Sequence, residues 1–387
     1  MPSRADAGGK TRIVLNAANV TGRGASIVVA NLVPELYAAL PEADFLTLVP
    51  RTPELMEAVQ GDRATVVAGP VRRGPLNDLG RLYDLHRGLR RIVEQSGAGV
   101  CLTLGDVGPA GLPCPHVVFL HNPLFVYSTE ELAGGGDWPP LKRHYLLWQF
   151  RRTIRHASRI IVQTPVMRDR LAARFAVDVG AVEVIPQPVP RHVTRRRGEP
   201  GRTPIGACAK PIRLLFLAAY YGHKNHRILP AVARELRARG LADRVQIFVT
   251  LGGTAPARLR AELAGCTDVI TDLGPLGAAT VADALADATA LFLPTLVESY
   301  GLIYLEAMAS DRPILTSDRD FARWMCGDTA RYFDPLDARS IVDAIAARPE
   351  LARADLRTLA DARLRELPAD WRAVASEFAR TLSLPRG

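Results

Sequence analysis

Short runs of β-branched and apolar residues alternate with longer helical patterns from one end of the chain to the other, and a single break divides that rhythm. The alternation is the signature of parallel βαβ units, because a parallel strand needs a crossover long enough to hold a helix. In the first half it predicts strands at Arg12–Ala18, Asp44–Val49, Thr65–Ala68, Val100–Leu104, His116–Leu120, Arg159–Gln163 and Val182–Ile185. Helices fall between them, among them Ala25–Leu40, Asp78–Glu94 and Leu141–His156. Residues 186–211 are rich in Pro, Gly and Arg and carry no hydrophobic period, so one packed body ends there. The pattern restarts with strands at Ile212–Ala218, Arg244–Thr250, Asp268–Thr271, Ala290–Leu293, Pro313–Thr316 and Arg331–Phe333, and 351–383 reads as two helices. A length of 387 residues suits two cores. The fold expectation is α/β, with two doubly wound Rossmann-like domains.

The formal charge of +9 favours anionic partners without choosing among them. The basic residues are not interleaved with a recognised nucleic-acid module, so no nucleic-acid partner is expected. No run approaches the roughly 18 apolar residues of a membrane span, and the N-terminus has no apolar core segment of the secretory kind. It reads as a short disordered tail. Five dispersed cysteines (Cys101, Cys114, Cys208, Cys266, Cys326) show no paired spacing and fit reduced thiols of a cytoplasmic protein. The histidines form no ligand pattern, and no metal or cofactor is expected.

The most informative segment is residues 288–310, ATALFLPTLVESYGLIYLEAMAS. Between Asp287 and Asp311 its only charges are Glu298 and Glu306. Ala290–Leu293 reads as a buried strand and Pro294–Ser299 as a loop, with a helix beginning near Tyr300 or Gly301. Ligands of doubly wound sheets bind at that edge, beyond the strand ends. Leu302, Glu306 and Ala309 share one stripe of a helix with no other charge, so Glu306 is expected to be buried and to need a partner. Either protein or ligand hydroxyls could serve. Glu298 has two readings, an N-terminal cap or a ligand contact.

The pattern E-S-Y-G-L-I-Y-L-E-A-M-A, in which Glu298 and Glu306 bracket seven residues, resembles the donor-site motif of the retaining glycosyltransferases of family 4. The resemblance implies the two-domain B fold, with both domains facing a central cleft. Residues 1–190 would form an acceptor domain, 191–211 a linker and 212–366 a nucleotide-sugar domain, and a C-terminal helix in 367–387 would cross back to the first domain. It also implies that Glu298 contacts hydroxyls of the transferred sugar and that Glu306 grips the nucleotide ribose. The backbone of Ser299, Tyr300, Gly301, Leu302 and Ile303 would face sugar and diphosphate, as free N–H groups at a helix N-terminus suit an anion.

Lys224 lies in AAYYGHKNHRIL, where the first strand of the second half meets its helix, a place where the macrodipole disfavours a cation. It is one of four lysines (Lys10, Lys142, Lys210, Lys224) among 49 basic residues. A point charge facing a diphosphate explains both features, and the family places a phosphate-binding lysine here; a solvated turn lysine is the bland alternative. The family often adds an arginine six residues earlier, where this chain has Ala218.

In the first half, Gly22 and Gly24 follow the first strand and could let backbone approach phosphate or sugar, or could merely serve a turn. A dinucleotide fingerprint would need a third glycine where Ile27 stands, which counts against a dehydrogenase. His121 sits at the carboxyl end of a strand, where the resemblance implies contact with the transferred sugar; capping the Asn122-Pro123 turn is the other reading. Trp138 to Arg168 holds no acidic residue, and His144, Trp148, Arg151 and Arg155 form one helical stripe. That stripe suits either plain solvation or an anionic membrane surface. The expectation is a metal-independent, configuration-retaining hexosyltransferase. It would use a nucleotide-sugar donor and a glycan or lipid-linked acceptor, in the cytoplasm or on the inner membrane face. A catalytically inactive B-fold relative that only binds nucleotide or another anionic ligand is the alternative.

Overall fold

The computed structural model describes residues 11–20, 22–68, 87–133, 136, 138–190, 193, 212–253, 255–347 and 353–383. The N-terminal tail up to residue 10, residues 78–86 of the helix expected at Asp78–Glu94, Cys208 and the linker 191–211 apart from Val193 lie outside them.

The chain divides into two compact units. The first contains β1 (Thr11–Asn16), α1 (Arg23–Ala39), β2 (Ala43–Val49), α2 (Pro53–Ala58), β3 (Ala64–Ala68), α3 (Leu89–Ser96), β4 (Val100–Thr103), β5 (His116–Leu120), α4 (Pro140–Ile154), β6 (Arg159–Val162), α5 (Pro165–Phe175) and β7 (Val182–Val184). The second contains β8 (Ile212–Phe216), α6 (Leu229–Ala238), β9 (Val245–Val249), α7 (Ala257–Ala264), β10 (Ile270–Asp272), α8 (Ala278–Asp287), β11 (Ala290–Leu293), α9 (Leu302–Ala309), β12 (Ile314–Ser317), α10 (Asp320–Cys326), β13 (Ala330–Phe333), α11 (Ala338–Ala346) and α12 (Arg353–Arg365). The last helix, α13 (Trp371–Ser383), belongs to the first unit. Its Trp371, Val374, Ala375 and Phe378 join the core that α1 and β1 build. That burial is what fixes a terminal helix to a body far away in sequence.

Both sheets are parallel, ordered β3-β2-β1-β4-β5-β6-β7 and β10-β9-β8-β11-β12-β13. In each, the chain starts mid-sheet, winds out one way and returns to wind out the other. The reversal falls between β1 and β4 in the first unit and between β8 and β11 in the second. Doubly wound sheets bind ligands at the carboxyl ends of such strand pairs. The central strands β4, β5, β9, β11 and β12 are buried along their whole length, as parallel strands covered on both faces must be.

The segment Tyr127–Asp137 groups with the second unit. Tyr127 donates its hydroxyl to Asp320 (3.1 Å), and the Arg227 guanidinium bonds the carbonyls of Leu132 and Ala133.

Candidate functional site

In the second unit the loops leaving β8 and β11 are built against each other. After β8 the chain makes two short 3₁₀ turns, Gly222–Lys224 and His226–Ile228, before α6 begins. Asn225 joins them in the left-handed region (φ +62), which asparagine tolerates better than most residues. Its buried amide donates to the carbonyls of Pro294 (3.1 Å) and Pro335 (2.8 Å), tying this loop to those after β11 and β13. Leu296 N–H donates to His223 O at 2.8 Å, and the Thr295 hydroxyl lies 3.2 Å from both His223 O and Glu298 Oε1.

These ties bring the Lys224 ammonium onto Glu298 Oε1, and the two form an ion pair. Lys224 is therefore no solvated turn lysine: its side chain is 21% exposed and that of Glu298 10%. Beside it, His226 stacks on Phe216 at 4.1 Å. Burial, reinforced by the nearby Lys224 charge, holds its pKa down to about 3.

The capping reading of Glu298 is corrected. The N-cap of α9 is Gly301, at φ +79, and no side chain caps the helix. A Cβ at Gly301 would fall 2.6 Å from the Tyr304 ring, so only glycine turns the chain there. The helix starts at Leu302, slightly later than the expected Tyr300 or Gly301, and Ser299 and Tyr300 lie in the loop. Leu302 and Ile303 form its half-buried first turn. Tyr304 to Ala309 are all buried, Glu306 with them. The all-round cover expected from the sequence is present, and Glu306 sits where a carboxylate requires polar company.

Ala218 brings no cation to β8: its N–H and carbonyl both meet the Thr250 hydroxyl, at 3.1 and 3.3 Å. Arg227, the nearest arginine downstream, is already engaged by carbonyls.

In the first unit Asn19 plays a similar tying role, donating from the β1 loop to the carbonyls of Gly105 (2.7 Å) and Val107 (3.2 Å) after β4. Gly22 is the N-cap of α1 at φ −78, so a left-handed turn is not what calls for glycine here. A Cβ on Gly22 or Gly24 would meet nothing within 4 Å among the described residues.

His121 does not cap its turn; the Asn122 side chain does, accepting from Leu124 N–H at 3.1 Å. Instead, Asp106 Oδ1 accepts the N–H groups of His121 (2.8 Å) and Asn122 (3.0 Å) and lies 3.7 Å from His121 Nε2. Phe119 stacks on the imidazole at 5.2 Å and takes the edge of Phe378 from α13 at 5.3 Å. The histidine is held in orientation from two sides. Asp106, Asn225 and Thr295 were missed by the sequence reading. Two carried a signal, since Asp106 and Asn225 are loop Asx residues of the kind that adopt positive φ.

The basic stripe lies on the open side of α4. Phe150 and Ile154 enter the core, whereas Trp148 is 51% exposed. Arg152 sits over the Trp148 ring at 5.8 Å and Arg151 over Phe175 at 5.6 Å. Trp148, Arg151, Arg152, Arg155 and His156 line a recess of about 250 Å³. Among the described residues none of these three arginines pairs with a carboxylate. Elsewhere Arg237, Arg239 and Arg323 pair with Asp268, Asp343 and Asp318.

Two parallel doubly wound units, each with its candidate residues at the switch-point edge, are the architecture of the glycosyltransferase B fold. The profile described as Glycosyltransferase Family 4 matches residues 22–192, and that of Glycosyl transferases group 1 matches residues 211–348. The chain belongs to this family. It is similar to a D-inositol 3-phosphate glycosyltransferase of Actinosynnema mirum, 27% identical over 52% of this chain and 50% of the relative. It is similar also to an MMP alpha-(1->4)-mannosyltransferase of Mycolicibacterium hassiacum, 27% identical over 72% of this chain and 67% of that one. The chain thus spans half to two thirds of the length of these curated relatives. Among solved structures, the sucrose-phosphate synthase of Thermosynechococcus elongatus superposes over 96% of this chain and 98% of its own, with a TM-score of 0.68 and 16% identity, a likeness of fold. No helix among the described residues is long and apolar enough to cross a membrane.

Proposed function

We propose that this glycosyltransferase moves a hexose from a nucleotide-sugar to a hydroxyl of a glycan or lipid-linked acceptor, with retention at the anomeric carbon. The observation that carries this reading is the Lys224–Glu298 ion pair at the β8/β11 edge, beside the uncapped N-terminus of α9. A cation, a carboxylate and free helix N–H groups are what a sugar diphosphate needs within one reach. In this reading Lys224 and the amides at Gly301 to Ile303 take the diphosphate, Glu298 the sugar hydroxyls, and Glu306 the ribose. The bond from the anomeric carbon to the diphosphate oxygen breaks and the nucleoside diphosphate departs. The acceptor hydroxyl attacks the same face and passes its proton to the departing phosphate oxygen. Lys224 and the helix amides stabilise charge where it develops, without a metal. Gly22, Gly24 and His121 serve the sugar and acceptor from the first unit. The relatives' names, a D-inositol 3-phosphate glycosyltransferase and an MMP alpha-(1->4)-mannosyltransferase, support a polar, hydroxyl-rich acceptor, and the setting we propose is cell-surface polysaccharide or glycolipid synthesis. The α4 face would dock the enzyme on an anionic inner membrane surface.

Thermal unfolding against UDP-, GDP- and dTDP-sugars tests the donor. The right one at about 100 Kd should stabilise by about 2.7 kcal/mol. Lys224→Ala and Glu306→Ala should reduce that stabilisation in a protein that still folds, whereas Glu298→Ala should chiefly lower turnover. If no nucleotide-sugar raises the melting temperature of wild type, the reading fails.

A further inference from the structure

We infer that the Lys224–Glu298 ion pair is a donor-proofreading latch, which sets affinity for the intact nucleotide-sugar above affinity for the nucleoside diphosphate that the reaction releases. The inference rests on the assignment of Lys224 to diphosphate and Glu298 to sugar. The ammonium is neutralised by a carboxylate that is itself almost buried. The arrangement is built rather than incidental: Asn225 fixes the backbone beside Lys224, and Thr295 reaches both His223 O and Glu298 Oε1. A diphosphate that draws Lys224 away therefore leaves Glu298, among the described residues, with one neutral donor, the Thr295 hydroxyl, whose single proton the carbonyls of His223 and Val297 also draw.

The two ligands differ at this point. An intact donor brings hydroxyl groups that donate to Glu298 as Lys224 leaves, so the carboxylate exchanges one set of partners for another. A bare nucleoside diphosphate brings none, and its binding strands a buried anion. The pair thereby reduces the fraction of sites with a free Lys224, and apparent affinity falls by that fraction. Release of the spent nucleotide is favoured by the same contact: once the sugar has gone, Glu298 recaptures Lys224. Thr295 acts as a positioning residue, holding the carboxylate where it can receive either partner.

The test is a double-mutant cycle read by calorimetry with UDP, GDP and dTDP, and with their glucose or mannose conjugates. Glu298→Gln keeps the shape and frees Lys224. If the latch leaves about one site in ten open, it should tighten the bare diphosphate about tenfold. In a Lys224→Met background that gain should vanish, because there is no cation to free. Loss of plain through-space repulsion between Glu298 and phosphate would instead persist in that background and would overturn the latch. Thr295→Val should narrow the preference for intact donor over bare diphosphate, and Thr295→Ser should restore it. Wild-type binding of a diphosphate with no gain in Glu298→Gln also overturns the latch. If neither wild type nor Glu298→Gln binds any of the nucleotides, the donor-site reading itself is wrong.

Discussion

Both units tie their switch-point loops with an asparagine amide, yet they spend it differently. Asn19 donates to two carbonyls after β4 from a partly exposed position; Asn225 donates to two carbonyls from different strands at 2% exposure. Around Asn225 the charged groups are already partnered, Lys224 with Glu298. Around Asn19 the neighbouring helix start carries glycines at 22 and 24, where a Cβ would meet nothing within 4 Å among the described residues. One edge is a preassembled polar network and the other a glycine-bearing helix start. Preassembly suits a constant ligand fragment such as a diphosphate, and a glycine-bearing helix start suits an acceptor.

Acid is the strongest perturbation available to both. His116 in the first unit is pushed down to about 4 by burial, with His156 adding to it, and donates or accepts with Thr103 at 2.8 Å. His226 in the second is pushed down to about 3, again by burial first. Both folded pKa values lie below the unfolded 6.5, so the unfolded chain binds more protons in between. Stability is full above about pH 6.5 and falls as pH drops toward 4, by about 2 kcal/mol per histidine at pH 5. Urea unfolding at pH 7.5 and 5 should show it, with His226→Phe removing its share while keeping the stack on Phe216. An unchanged pH slope in that variant would mean that the buried imidazole does not govern the loss.

The second expected effect contrasts the two asparagines. Asn225→Ala leaves two buried carbonyls without a donor and puts alanine, which tolerates the left-handed region less well than asparagine, at φ +62, a loss of about 3 kcal/mol. Asn19→Ala, more exposed, should lose about 1 kcal/mol. Equal losses in chemical unfolding would dissolve the contrast between a preassembled edge and a glycine-bearing one.

Periodicity made the thirteen strands of the described residues legible, the central ones because parallel strands buried on both faces leave short apolar runs that no surface requirement interrupts. The buried position of Glu306 was legible for the same reason, as a lone charge in an apolar helix. What sequence could not give was the direction of the loops. Glu298 lies three residues before the helix N-cap at Gly301 and looked able to cap it. Instead the loop folds back on Thr295 and delivers the carboxylate to Lys224, 74 residues away. Asn225 was passed over because its partners, Pro294 and Pro335, are carbonyls, which sequence does not mark. His121 was placed correctly at a strand end, but its support comes from Asp106 on a different loop.

The smallest expected effect separates paired from unpaired arginines. Arg151 on α4 and Arg155 just beyond it have no carboxylate near enough to pair among the described residues, whereas Arg237 and Arg239 on or beside α6 pair with Asp268, Asp343 and Glu235. A guanidinium already neutralised by a neighbour has little attraction left for an anionic surface, while an unpaired one contributes about 1 kcal/mol beside it. Replacing Trp148, Arg151 and Arg155 with Ala, Gln and Gln should therefore weaken sedimentation with phosphatidylserine vesicles at low salt by about 2 kcal/mol, roughly thirtyfold. Arg237→Gln with Arg239→Gln removes the same formal charge from the second unit and should leave sedimentation nearly unchanged. Both variants should keep wild-type nucleotide affinity, since neither touches the β8/β11 edge. Equal losses from the two would reduce the effect to net charge, and no vesicle binding by wild type would leave the α4 face a solvated surface.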